Sequence, residues 1–135
     1  MSWSSRTDAI PHLLAAALDS PRKVADLVNI SSVAGRFAAA TTAGYNATKF
    51  GVTAFTESLR QEFARRHLRV SVIEPGRVDT ELFDHHEGEA EGFTAMFGQI
   101  QYLKPEDIAD AVGYIVQNPR YVAVNEIVIR PTEQA

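Results

Sequence analysis

Two short apolar runs rich in β-branched residues, residues 24–30 (VADLVNI) and 68–73 (LRVSVI), bracket one long helical segment from Tyr45 to Arg66. No other feature restricts the fold as much. Strands separated by a helix of that length cannot pair as a hairpin, and a right-handed crossover through the helix makes them parallel. Parallel strands apolar on both faces need helices on both sides. The alternation continues: Lys104-Pro105-Glu106-Asp107 opens a further helix, and residues 121–129 read as a third strand. Near the start, residues 9–18 read as a short apolar helix capped by Thr7 or Asp8, with Pro11 in its first turn. The pattern predicts an α/β fold of about three parallel strands with flanking helices. Its spans are a strand over 24–31, a helix over 45–66, a strand over 68–74, a mixed acidic segment over 79–103, a helix over 105–117 and a strand over 121–130.

Composition narrows the class of protein. The 135 residues suit a single domain, and 45% hydrophobic with 22% charged residues is ordinary for a globular chain. Seventeen acidic against thirteen basic residues give a net charge of -4, and the bases are scattered, so neither a nucleic acid nor an anionic membrane is an expected partner. There is no cysteine, hence no disulfide framework or thiolate metal site. Residues 1–6 carry no apolar h-region and no apolar run is long enough to span a bilayer, so the expectation is a cytoplasmic protein.

Within the predicted sheet, ligands belong beyond the carboxyl ends of the strands. Ser32 follows the first strand, Pro75-Gly76 follows the second, and Tyr45 and Lys49 sit in the first turns of the helix between them. At 100° per residue Val52, Leu59 and Phe63 fall within about 40° of Tyr45, so Tyr45 and Lys49 head the stripe that packs on the sheet. Ala47, Phe50 and Ala54 form a second apolar face on the same helix, which points to a partner subunit.

A phenol ordinarily ionises near pH 10, about three units above neutrality. A lysine ammonium ~5 Å away, at an effective dielectric near 20, favours the phenolate by roughly 3 kcal/mol, enough to make a tyrosine a usable acid or base. A serine hydroxyl beside it can donate to a carbonyl or alcohol oxygen as charge develops there.

Tyr-x3-Lys alone is common by chance, but its surroundings are specific. Asn29-Ile30-Ser31-Ser32-Val33-Ala34-Gly35, then Tyr45-Asn46-Ala47-Thr48-Lys49-Phe50-Gly51, then Pro75-Gly76-Arg77-Val78-Asp79-Thr80 resemble, in order, the short-chain dehydrogenase/reductase family. The resemblance covers nearly the whole chain. It implies hydride transfer between a nicotinamide cofactor and a small alcohol or carbonyl substrate, with Tyr45 as acid/base. Lys49 would assist Tyr45 and bind the nicotinamide ribose, and Ser32 would orient the substrate oxygen. Pro75, Gly76, Val78 and Thr80 would line the nicotinamide, and residues 79–103 would form the substrate lid. With the second apolar face of the long helix, the expectation is a homo-oligomer built through the helices over residues 45–66 and 8–18. The closing Asn125-Glu126-Ile127-Val128-Ile129-Arg130-Pro131-Thr132 is similar to NADP-dependent hydroxy-acid and serine dehydrogenases, which favours NADP over NAD.

The family's opening strand and Thr-Gly-x3-Gly-x-Gly loop, which hold the pyrophosphate, are not in this sequence, nor is its Asn-Asn-Ala-Gly stretch. Gly88, Gly92 and Gly98 do not replace the loop, because they follow no strand and Glu87, Glu89 and Glu91 would repel phosphate. The chain therefore resembles the C-terminal part of a Rossmann-like doubly wound sheet without its nucleotide-binding half, a single partial domain over 1–135 whose first strand is left with an open edge. The alternative reading is a non-catalytic fragment that only associates. Asp84-His85-His86-Glu87 reads as a solvated loop rather than a metal site, because adjacent ligands rarely converge on one ion. His12 and His67 read as surface or capping histidines.

Overall fold

A computed structural model describes residues 3–80 and 89–135. Its elements are α1 (Trp3–Asp19), β1 (Ala25–Ile30), a 3-10 turn (Val33–Gly35), α2 (Ala43–Phe63), a second 3-10 turn (Ala64–Arg66), β2 (Leu68–Pro75), α3 (Glu89–Phe97), α4 (Pro105–Gln117) and β3 (Glu126–Ile129). The strands form one parallel sheet in the order β1-β2-β3. The α/β class with three parallel strands is therefore as the hydrophobic pattern requires.

β2 lies at the centre, and all eight of its residues are buried. Its side chains alternate between two helical layers, as the period of a strand demands. Leu68 and Val70 join Ile10, Leu14 and Ala17 of α1 and Leu59 of α2 in one core cluster. On the opposite face, Arg69 reaches the carbonyl oxygens at the end of α4, and Ser71 donates to the carbonyl of Val124 (2.7 Å). β1 and β3 are only partly covered, and Glu126 and Val128 of β3 are exposed. Full burial on both faces thus holds for β2 alone, because among the described residues it is the only strand with a neighbour on each side.

Three boundaries differ from the sequence reading. α1 begins at Trp3 rather than after Thr7 or Asp8, so Pro11 lies inside the helix. A proline there withholds one backbone donor. Burial of Ile10, Leu14 and Ala17 offsets that loss. α2 starts two residues before Tyr45 and its last turn tightens to 3-10 geometry, closed by His67 in the left-handed region (φ 58°). The third strand is confined to Glu126–Ile129 instead of 121–130. Upstream of it, the carbonyls of Asn118, Pro119 and Val122 accept from Arg69 and that of Val124 accepts from Ser71, so side chains take the acceptors a longer ladder would need.

Asp26 and Arg69, register partners on β1 and β2, form a two-pronged ion pair (2.7 and 2.9 Å) with both side chains under a tenth exposed. The guanidinium is saturated by four further carbonyls at the end of α4 and just beyond it. Removing one member leaves the other charge buried. Arg69→Ala is therefore expected to lower the unfolding free energy by about 3–5 kcal/mol. Equilibrium urea denaturation measures this, and a loss under about 1 kcal/mol would contradict the role.

Candidate active site

The β1–β2 ladder continues one residue past β1, where Ser31 N–H donates to the carbonyl of Ile73 (2.8 Å). Ser32 then leaves the sheet in an extended conformation and caps the 3-10 turn, its Oγ accepting the Ala34 N–H at 3.1 Å. That bond uses a lone pair and leaves the hydroxyl hydrogen to donate. Tyr45 and Lys49 stand at the N-terminal end of α2, beyond the stretch where Val52, Thr56 and Leu59 are buried. Tyr45 is 45% exposed for that reason: it continues the same helical face, but above the end of the sheet. Lys49 Nζ lies 5.6 Å from the centroid of its ring.

After β2, Gly76 N–H donates to the carbonyl of Ile129 (2.7 Å), and the segment that follows pairs with Leu103 through a bridge at Val78. Ser32, Tyr45, Lys49, Pro75, Gly76, Val78 and Thr80 all line one cavity of about 510 Å³. Thr80 Oγ1 is buried there with no hydrogen-bond partner among the described residues. A buried hydroxyl without a partner is costly, and a polar ligand group would satisfy it.

The model of the short-chain dehydrogenase family matches residues 7–91. The chain belongs to the short-chain dehydrogenase family. It is 44% identical over 120 residues to dehydrogenase/reductase SDR family member 11 of Bos taurus, covering 84% of this chain and 47% of that protein. A probable NADP-dependent dehydrogenase of Haemophilus influenzae is 34% identical over 116 residues, covering 84% and 46%. Among solved structures, the closed form of serine dehydrogenase complexed with NADP+ superposes with a TM-score of 0.80 at 26% identity, covering 96% of this chain and 51% of that one. This short-chain dehydrogenase chain spans about half the length of the curated relatives it matches.

Several residues that shape the cavity were not singled out by the sequence motifs. Asn46, next to Tyr45, is 6% exposed. Its Nδ2 donates to the carbonyls of Ala34 (2.8 Å) and Phe37 (2.9 Å), and its Oδ1 accepts from Thr42 Oγ1 (2.6 Å) and Ala39 N–H (3.3 Å). It pins the loop between Ser32 and Tyr45 to the helix. Helical periodicity overlooks it, because a loop rather than the sheet buries it. Arg77 lines the cavity with its guanidinium 5.4 Å from the ring of Phe93 and 5.3 Å from that of Tyr102, tying α3 to the segment after β2. Gln134 Oε1 accepts Arg77 N–H (2.9 Å) and packs so closely over Gly76 that a β-carbon there would collide with it.

Asn29 is buried and donates to Thr56 Oγ1 (3.0 Å), a bond between β1 and α2, and it does not line the cavity. The Asp84-His85-His86-Glu87 run and most of the first part of the 79–103 lid lie outside the described residues. Among the described residues no group of three or more His, Asp or Glu side chains could hold a metal ion, and no helix is long and apolar enough to cross a membrane.

Beneath the site, Glu74 is fully buried. Burial pushes its carboxyl up from the usual 4.5 to about 7, aided by the neighbouring Glu126 and opposed by Arg36 and by a hydrogen bond from Thr53. Arg36 Nε stands 3.5 Å from Glu74 Oε2 and its Nη1 3.2 Å from Glu126 Oε1.

Two outcomes follow from these contacts. Asn46→Ala strands the Ala34 and Phe37 carbonyls and is expected to cost about 2 kcal/mol, with faster hydrogen exchange at residues 34–39. Equal exchange rates would show that the loop is held otherwise. Folded Glu74 holds its proton more tightly than the unfolded chain, so stability falls as pH rises from 4.5 to about 7. Glu74→Gln removes that slope, and urea denaturation at each pH should show the variant gaining on the wild type across this window. A difference that stays constant with pH would contradict it.

Proposed function

We propose that this chain carries the substrate-side half of an oxidoreductase site in which hydride passes between a nicotinamide cofactor and an alcohol or carbonyl. The observation that carries the reading is the convergence of Ser32, Tyr45 and Lys49 on one cavity with Pro75, Gly76, Val78 and Thr80. Tyr45 serves as acid/base, giving a proton to a carbonyl oxygen or taking one from an alcohol. Lys49, whose Nζ lies 5.6 Å from the centroid of the Tyr45 ring, assists Tyr45 and offers its ammonium to the nicotinamide ribose. Ser32 has its hydroxyl hydrogen available to hold the substrate oxygen, because its lone pair already caps the turn. The nicotinamide, when bound, supplies or accepts the hydride. Thr80, with its buried and unpartnered hydroxyl, fits the carboxamide, and Pro75, Gly76 and Val78 form the wall beside the ring. NADP is favoured over NAD by the ligand of serine dehydrogenase and by the name of the Haemophilus influenzae relative.

Residues 79–103 act as the substrate lid, attached through Arg77, Phe93 and Tyr102. Residues 1–135 are one partial domain, of cytoplasmic location. A homo-oligomer through the helices over 45–66 and 8–18 is supported by the outward side of α2, where Phe50 is 42% exposed beside Ala47 and Ala54. A second reading, a non-catalytic module that only associates, is favoured by the coverage of about half of each relative together with β1 having, among the described residues, a strand on one side only.

The two readings separate in one set of measurements. Turnover of alcohols and carbonyls is followed by nicotinamide absorbance with NADP(H) and NAD(H), beside cofactor binding by NADPH fluorescence. Tyr45→Phe is expected to lower kcat by about 10²–10⁴-fold with cofactor affinity retained. Full activity in that variant sinks the acid/base assignment, and no binding at millimolar cofactor leaves the association module as the function of this chain.

A further inference from the structure

The Lys49 turn of α2 and the loop bearing Ser32 meet over a part-buried cluster of hydroxyls. Ser31 Oγ donates to the Lys49 carbonyl (3.0 Å) and lies 3.1 Å from Thr53 Oγ1. Thr53 Oγ1 approaches the same carbonyl (3.2 Å) and Glu74 Oε1 (3.3 Å). Gly35, three residues after Ser32, closes over them: a β-carbon there would stand 2.7 Å from Ser31 Oγ, 2.8 Å from Thr53 Oγ1 and 2.9 Å from the Lys49 oxygen. The loop backbone therefore rests directly on the cluster, and Glu74, with no exposed surface, forms its floor.

We infer that Glu74, acting through Thr53 and Ser31, is a positioning residue that locks the Lys49 turn to the loop carrying Ser32. The inference rests on the reading of Lys49 and Ser32 as site residues. Its physical basis is a shortage of hydrogens. Thr53 has one hydroxyl hydrogen for three acceptors within reach, the Lys49 carbonyl, Glu74 and Ser31 Oγ. A carboxylate at Glu74 takes that hydrogen, since charge-assisted bonds are the stronger, and the Lys49 carbonyl keeps only the Ser31 hydroxyl beside its helical N–H donor. A carboxylic acid at Glu74 shares its proton with the neighbouring Glu126 and is a weaker acceptor for Thr53, and the Thr53 hydrogen turns to the Lys49 carbonyl. The state of Glu74 is thereby written onto the first turns of α2.

The charged groups around Glu74 come from three elements. Arg36 follows the 3-10 turn after β1, and Glu126 lies on β3. On α2, Glu57 and Arg60 share the cavity of about 190 Å³ lined by Thr53 and Glu126, and are paired to each other at 2.7 Å. Arg36 is the cation that favours ionised Glu74, and Glu126 is the anion that opposes it.

Nuclear magnetic resonance of the isotope-labelled chain tests this without cofactor or substrate. The Lys49 carbonyl carbon and the Phe50 amide nitrogen share the peptide that accepts both hydroxyls. In the wild type their shifts should step together with the Glu74 carboxyl near pH 7. Glu74→Gln should abolish the step. Thr53→Val should leave the Glu74 titration in place and uncouple Lys49 from it, and Glu126→Gln should move the step to lower pH. A Lys49 carbonyl that stays silent while Glu74 titrates, or a step that survives Glu74→Gln, overturns the inference. Failure of the catalytic reading is seen separately, as full turnover in Tyr45→Phe with these titrations unchanged.

Discussion

The parallel ladder between β1 and β2 is the constraint on which the rest depends. Its register sets Asn29 opposite Val72 and Ile30 opposite Ile73, so β1 ends within two residues of the end of β2. Whatever follows each strand emerges on the same edge, and the helix between them must begin there as well. Ser32, the first turns of α2 and Pro75-Gly76 are thus brought to one cavity by connectivity and strand register rather than by mutual attraction. The Asp26–Arg69 pair holds that register at the opposite end of the strands, and its remaining donors fasten the end of α4. A one-residue slip would turn every β2 side chain to the other face and place Arg69 in the apolar layer.

Polar groups in this core are concentrated where the chain must be held in position. The apolar cluster draws on α1, β1, β2 and Leu59 of α2, whereas Asn46, Ser31, Thr53 and Glu74 lie under the site. Apolar packing tolerates small sliding movements, but hydrogen bonds to specific carbonyls do not. Asn46 fixes the loop to α2 from one side and the hydroxyl cluster fixes it from below. Tyr45, Lys49 and Ser32 can therefore be partly open to a ligand while their backbones remain anchored.

Much of the fold was legible because strands and helices differ in the period of their hydrophobic residues. The runs around Val28 and Val70 and the long segment after Tyr45 have no other economical arrangement than a parallel crossover. α4 begins at Pro105 and ends at Gln117, as its opening Lys-Pro-Glu-Asp signals. Legibility failed where the deciding partner was distant in sequence. Residues 121–125 have the composition of a strand, yet Arg69 and Ser71 claim several of the carbonyls around them, and α1 runs through Pro11 because the sheet holds Ile10 and Leu14. The site residues follow the same division. Ser32, Tyr45 and Lys49 stand out by type and spacing, whereas Asn46 and Glu74 acquire their places only from what surrounds them.

The sequence by itself determined the alternation of elements, the parallel sense of the sheet and the family, because period and motif spacing are local properties that any reader of the chain can measure. Only the tertiary structure decided which polar side chains are buried and what they bind. Glu74 next to Pro75, Thr53 one turn beyond Lys49 and Arg36 in a loop are unremarkable in order along the chain. They become one network around the buried Glu74 because the crossover folds α2 onto β2 and returns β3 beside it, and burial in a low-dielectric core is what gives a carboxyl its altered affinity for a proton.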